Sequence, residues 1–295
     1  MRFTRPVMDI IRDRVSVRTY DGTPIEPGRE ALLRDFVSSG PAGPFGTRSR
    51  FELIAASPGD TDALRGLGTY GAIRDPAGFI AGAVENEGRD LEDFGYIMET
   101  VILLATDLDL GTCWLGGTFR QSRFAAALRA GERESIPAVV SVGNRAAKRR
   151  FVERLMRRGA NADTRMPWEE LFFRGAFDRP LSRHEAGPYA EVLEMVRLAP
   201  SASNKQPWRI VKDPAGPVFH LHLRRTQGYD RSRKGLFRMA DLQRVDMGIA
   251  MCHFALTAED LGLAGAWQTV DPCLVPRPPD TEYLVSWRGQ EPLAP

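Results

Sequence analysis

The sequence predicts an α+β chain folded as an intramolecular pseudo-dimer, in which two similar halves build mixed sheets flanked by helices. Three observations carry this expectation. A long apolar segment recurs at a constant offset, a second recurrence lies upstream of it, and strand-like runs alternate with helical ones in both halves.

The first recurrence is ungapped. Asp93, Gly95, Met98, Ala105, Asp107, Leu108, Leu110 and Trp114 return as Asp246, Gly248, Met251, Ala258, Asp260, Leu261, Leu263 and Trp267, a shift of 153 residues (246 minus 93). Phe94, Ile97, Met98, Val101, Leu104, Ala105 and Leu108 mark one helix face, and Ile102 and Leu103 widen it, so this helix is expected to be deeply buried and to pair with its copy. Upstream, the helical run Leu32, Leu33, Phe36, Val37 before Pro41 matches Val192, Leu193, Met195, Val196 before Pro200. Each leads through a loop into a strand, Phe51 to Ala55 in the first half and Trp208 to Val211 in the second. Further strands are expected at Gly78 to Val84, Ala138 to Val142, Val218 to Leu223, Gly265 to Val270 and Tyr283 to Trp287. The halves divide into 1–165 and 166–295. The alternative is two independent domains joined through Arg157 to Thr164; two long apolar helices that need mutual burial favour the intertwined form.

Composition narrows the function. With 295 residues, 43% hydrophobic and 26% charged, the chain reads as globular, and a net charge of +2 is nearly neutral. The densest basic run, Lys148, Arg149 and Arg150 followed by Arg154, Arg157 and Arg158, reads as a solvated helix face, so no nucleic-acid partner is expected. The longest apolar run, Val101 to Ala105, is too short to span a bilayer. The first residues reach Asp9 before any apolar stretch, which argues against secretion, and Cys113, Cys252 and Cys273 form neither a C-x-x-C pair nor a zinc spacing. A reduced, cytoplasmic protein is the expectation.

Two segments carry candidate chemistry. Arg14-Val-Ser-Val-Arg18, after the helical run from Met8, sets two guanidinium groups and a hydroxyl within five residues, a cluster suited to a phosphate. Pro200-Ser-Ala-Ser-Asn-Lys-Gln-Pro-Trp208 is a polar loop between helix and strand, rich in donors and acceptors and ending on a large aromatic. Other constellations fall short: His220 and His222 share a strand face without a third ligand, so no metal is expected. Ser201 and Ser203 lack a nucleophile elbow. Cys113, beside Trp114, reads as core.

On these two segments the chain resembles the FMN-dependent nitroreductase family, and its single-chain branch with two fused half-units known from thermophile genomes. The family's R-x-S-x-R element is present as Arg14, Ser16 and Arg18, and its P-S-x-x-N-x-Q-P-W element as Pro200 to Trp208. Gly111-Thr-Cys-Trp-Leu-Gly-Gly117 is similar to the family loop beside flavin N5, and Thr164-Arg-Met-Pro-Trp-Glu-Glu170 to its R-x-P-x-E-E segment. The resemblance, from about Met8 to about Trp267, implies a nitroreductase-like fold and FMN held by Arg14, Ser16, Arg18, Trp114, Leu115, Gly116, Gly117, Arg165, Pro200, Ser201, Ala202, Asn204 and Gln206. It implies Gly116 and Gly117 as the N5 environment, Arg18 near flavin N1 and O2, and a ping-pong cycle. In that cycle NADH or NADPH reduces FMN, and a nitroaromatic, quinone or other small acceptor is then reduced in the same pocket.

The chain departs from the pattern at Val15, where the family has a second arginine, and at Gly116, where it has an acid. The halves have also lost complementary parts. Pro41 to Ser49 keeps no Asn-x-Gln-Pro-Trp, and the counterpart of Arg14, Ser16 and Arg18 reads Arg174, Ala176 and Asp178, whose carboxylate would repel a phosphate. One site, complete within one chain that is a monomer or a weak homo-oligomer, is the expectation. Val15 and Gly116 also keep open a non-catalytic flavin-binding or storage protein, and a fold that has lost its cofactor.

Overall fold

The computed structural model describes residues 3–55, 64, 67–146, 164–228 and 240–290; the basic run from Lys148 to Arg158 and most of the supposed linker lie outside them. The first half opens with helix α1 (Val7–Asp13) and helix α2 (Pro27–Ser38). Glu26 caps α2 by accepting from Gly28 N at 2.9 Å and Arg29 N at 3.0 Å, and Pro27 supplies the fixed φ of a first helical position. Strands β1 (Ser49–Ala55) and β2 (Gly78–Glu85) precede the long helix α3 (Asp90–Asp107). Strand β3 (Gly111–Leu115), helix α4 (Gln121–Ala127), and strands β4 (Glu134–Ser135) and β5 (Val139–Gly143) complete this half. Its sheet runs β1-β2-β5-β3 with β4 on β2, antiparallel throughout.

The second half repeats the plan. Short helix α5 (Trp168–Leu171) leads into strands β6 (Phe172–Arg174) and β7 (Ala176–Pro180), then helices α6 (Arg183–Ala186) and α7 (Ala190–Leu198). Strands β8 (Trp208–Lys212) and β9 (Val218–Arg224) precede the long helix α8 (Leu242–Asp260), and strands β10 (Gly265–Gln268) and β11 (Thr281–Gly289) follow it. This sheet, β10-β11-β9-β8-β6-β7, is the mixed one, with β6 parallel to β8 and its other pairs antiparallel. The fold is thus the expected α+β arrangement. The expected strands are present within a few residues, while β4, β6 and β7 are additional, and Gly111 to Leu115, expected as part of a loop, is a strand paired with β5.

The halves meet where α3 crosses α8. A Cβ at Gly95 would lie 2.1 Å from the Val245 carbonyl oxygen, and one at Gly248 would lie 1.9 Å from that of Glu92. Positions 92 and 95 map onto 245 and 248 by the same shift of 153, so the two contacts are copies related by a local two-fold. Backbones this close leave room only for glycine, which accounts for its recurrence. The core is shared: Phe94, Ile97 and Val101 of α3 belong to one buried cluster with Val245, Ile249 and Phe254 of α8 and Trp208 of β8. α1 lies across the junction, with Ile10 and Ile11 clustered with Leu103, Met195 and Cys252. Among the described residues no helix is long and apolar enough to cross a membrane.

Candidate functional site

The Arg14 to Arg18 segment leaves α1 in extended conformation and is pinned beside β3, with Val17 N donating to Thr112 O at 2.8 Å and Ser16 bridged in parallel to Thr112. Side chains of an extended segment alternate. Val15 and Val17 pack on the cluster that holds Cys113, Leu115 and Phe124, while Arg14, Ser16 and Arg18 line a cavity of about 370 Å³. An arginine at position 15 would therefore start from the core side of the segment, away from this cavity.

The opposite wall is the loop after α7. Pro200, Ser201, Ala202, Ser203 and Asn204 line the cavity. Ser203, Asn204 and Gln206 carry positive φ (51°, 54° and 46°), a conformation that non-glycine residues hold only when their surroundings impose it. The restraints are explicit: Gln206 N donates to Ser201 Oγ at 2.8 Å, Gln206 Oε1 accepts from Met166 N at 2.9 Å, and Asn204 Nδ2 donates to Thr164 O at 3.0 Å. Gln206 is buried and does not line the cavity; it clamps the loop to the Thr164 to Met166 segment. That segment also delivers Arg165, which lines the cavity while donating to Thr164 O at 2.8 Å and Leu198 O at 3.1 Å.

Trp114, Gly116 and Gly117 form the floor, whereas the Leu115 side chain points into the core and does not line the cavity. A Cβ at Gly116 would lie 2.4 Å from Leu242 Cδ1, so the place of the family's acid is filled by an apolar side chain from α8. Leu242, Val245, Asp246 and Ile249 of α8, with Thr118 and Ala138, complete the lining. None of these six was singled out from sequence as a site residue. The four on α8 follow the i, i+3, i+4, i+7 spacing of one helix face, which was the available signal.

Behind the floor lies a buried polar network. Glu99, fully buried on α3, accepts from Trp114 Nε1 at 2.8 Å, lies 3.0 Å from His253 Nε2, and stands 3.7 Å from Arg14 Nε. His253 Nδ1 must carry its proton, because it faces the Met195 carbonyl at 2.9 Å. The pseudo-symmetric mate of Glu99 is Cys252, and Trp267, the mate of Trp114, has a buried Nε1 with no hydrogen-bond partner among the described residues. The network exists on one side only. The copy of the arginine cluster has likewise diverged: Arg174 is ion-paired with Glu185 at 2.5 Å, and Asp178 is exposed on β7.

Three guanidinium groups face the cavity with a single carboxyl, Asp246, whose burial pushes it well above the usual carboxylate range. The cavity is thus positive. Arg18 Nη1 is buried and has no hydrogen-bond partner among the described residues, an unmet donor of the kind a phosphate oxygen satisfies. Away from the cavity, His220 Nδ1 is 2.8 Å from Ser286 Oγ, and His222 sits between the rings of Phe177 and Tyr283. Among the described residues no group of three His, Cys, Asp or Glu is gathered to hold a metal ion.

The family described as "Putative TM nitroreductase" matches residues 6–258. The chain belongs to this nitroreductase family. By its name the family is a class of oxidoreductases. No curated protein matches the chain. The crystal structure of a "putative nitroreductase" of Thermotoga maritima is similar over 97% of this chain and 95% of that one, at 18% identity and a TM-score of 0.58, which shows a common fold. A nitroreductase family protein of Clostridium difficile 630 aligns with 58% of this chain and 96% of its own at 18% identity and a TM-score of 0.42. A "putative nitroreductase" of Desulfovibrio desulfuricans, crystallised with FMN, aligns with 52% of this chain and 96% of its own at 26% identity and a TM-score of 0.38.

Proposed function

We propose that the chain is an FMN-dependent oxidoreductase with one composite site, built by the half-units 1–165 and 166–295, that takes electrons from NADH or NADPH and passes them to a small acceptor such as a quinone or nitroaromatic. The single observation that carries this reading is the convergence of Arg14, Ser16, Arg18 and Arg165 with the Pro200 to Asn204 loop on one positive cavity of about 370 Å³, a volume within the range of small-molecule and cofactor pockets.

The residues present fit the group. Arg18, with its unmet buried donor, and Arg14, Ser16 and Arg165 would hold the phosphate and polar edge of FMN by charge-assisted hydrogen bonds. The loop from Pro200 and the apolar side chains Leu242, Val245 and Ile249 would enclose the ring and exclude water. When bound, FMN supplies hydride acceptance and donation at N5; the protein supplies orientation and charge. The Gly116 and Gly117 backbone allows close approach there. Arg14 and Arg18, which line the cavity, would stabilise negative charge on the bound group with little reorganisation. Trp114 to Gly117 holds no ionisable side chain, so these residues would supply no proton donor, and electron donor and acceptor would share the one cavity in turn. Because both walls come from one chain, a monomer or weak homo-oligomer in the cytoplasm suffices.

Steady-state oxidation of NADH and NADPH at varied quinone tests this reading. Parallel double-reciprocal lines are expected, with Asn204→Ala weakening FMN binding by releasing the loop from Thr164. A tightly bound flavin that neither nicotinamide reduces under anaerobic conditions would replace the enzyme with the flavin-storage reading.

A further inference from the structure

Asp93 and Asp246 are copies of one position, yet the structure uses them differently. In the first half, Asp93 binds its loop with both oxygens: Oδ1 accepts from Phe45 N at 2.9 Å, and Oδ2 accepts from Thr47 N at 2.8 Å and Thr47 Oγ1 at 3.0 Å. In the second half, Asp246 gives its loop one bond, Oδ1 accepting from Ala202 N at 2.8 Å. Oδ2 is buried, has no hydrogen-bond partner among the described residues, and belongs to a residue that lines the cavity and is 2% exposed. An anionic carboxylate oxygen buried without a hydrogen-bond donor carries a desolvation cost that a neutral carboxylic acid avoids, and a neutral acid has a proton to donate.

We propose that Asp246 is a neutral acid whose Oδ2–H donates a hydrogen bond into the ring pocket, to a carbonyl or imine acceptor on the bound heterocycle. Under the reading above, on which this inference rests, that heterocycle is the flavin ring, and Asp246 is a residue that binds it and sets its electronic environment. The chemistry parallels that of other buried acids kept protonated so that they can donate. Burial is the main force that holds the proton on Asp246; the hydrogen bond from Ala202 N opposes it, and Asp241, at the N-terminal edge of the same helix, adds to it. Arg14, Arg18 and Arg165 line the same cavity and act in the opposite sense. On the packed helix α3, Glu92 is paired with Arg244, Asp93 with its own loop, and Glu99 with Trp114 and His253.

Two measurements on the full chain test this. Infrared difference spectra of wild type and Asp246→Asn, without added FMN, should show the carbonyl stretch of a protonated carboxylic acid at neutral pH in the wild type only; absence of that band overturns the proposal whether or not FMN binds. FMN titrations between pH 6 and 9.5 should show Asp246→Asn, which keeps an acceptor for Ala202 and a donor for the ring, within about threefold of wild type at pH 6. Asp246→Ala should lose on the order of tenfold, the value of one hydrogen bond. As the acid ionises, wild-type affinity should fall with rising pH while Asp246→Asn does not share that fall. Asp93→Asn should track wild type. Identical pH profiles for wild type and Asp246→Asn overturn the donor role. Failure of wild type to bind FMN overturns the proposed function, and the infrared band still decides the state of the acid.

Discussion

Replacing Glu99 with alanine should cost far more than a single hydrogen bond. The carboxylate is fully buried and serves three groups: Trp114 Nε1 at 2.8 Å, His253 Nε2 at 3.0 Å and Arg14 Nε at 3.7 Å. Alanine would leave the Trp114 indole N–H without its acceptor and would remove the carboxylate that faces His253 and Arg14. Breaking a buried charged network by removing one member costs about 3–5 kcal/mol. At roughly 2–4 °C per kcal/mol for a large domain, this lowers the melting temperature by roughly 6–20 °C. Glu99→Gln should be rescued to within about 1–2 kcal/mol, close to the value of one hydrogen bond. Its amide oxygen can accept from Trp114 and its amide N–H can face a neutral His253, whose Nδ1 still donates to Met195. Urea unfolding followed by tryptophan fluorescence measures both variants. An alanine variant within about 1 kcal/mol of wild type, or a glutamine variant as damaged as alanine, would refute the reasoning.

Other predictions follow from the same geometry. Arg18→Ala should weaken FMN binding by about 10- to 100-fold, for a loss of about 1.5–3 kcal/mol, yet leave the unfolding midpoint of the flavin-free protein unchanged, because the buried Nη1 has no partner to lose. Gly248→Ala should destabilise by about 1–3 kcal/mol or more as the helices are forced apart; a gain of about 1 kcal/mol, the ordinary helix-propensity effect, would mean that the crossing is not tight. His222 is pushed down to about 4 by burial, so between that value and its ordinary 6.5 the unfolded chain binds the extra proton. Its contribution to stability is therefore present above pH 6.5 and is lost as the pH falls toward 4, on the order of 3 kcal/mol. Comparing urea midpoints of wild type and His222→Leu at pH 5 and pH 7 checks this, and an equal acid-side loss in both would contradict it.

Much of the fold was legible because duplication writes long-range contacts into the sequence. The shift of 153 that pairs Gly95 with Gly248 also pairs the carbonyls they touch, so the helix crossing follows from the repeat once glycine's role is understood. Arg14, Ser16, Arg18 and the Pro200 loop could be found because each is a local cluster. Glu99 and His253 could not, since they lie 154 residues apart and each reads locally as an odd polar residue in an apolar helix. Asp246 was legible only as a repeat of Asp93, and its difference lies in partners contributed by another loop. Gly111 to Leu115 was expected as part of a loop only through the family resemblance; Thr112, Cys113, Trp114 and Leu115 suit a strand, and they pair with β5.

One composite flavin site per chain is the central element of the proposed function. Equilibrium titration of the flavin-free protein with FMN, followed by quenching of flavin fluorescence and by absorbance after denaturation of the saturated protein, measures the stoichiometry directly. One FMN per chain is predicted, with binding weakened both by Arg18→Ala from one wall and by Asn204→Ala from the other. Two FMN per chain, no binding, or a single site indifferent to one of these walls would contradict it.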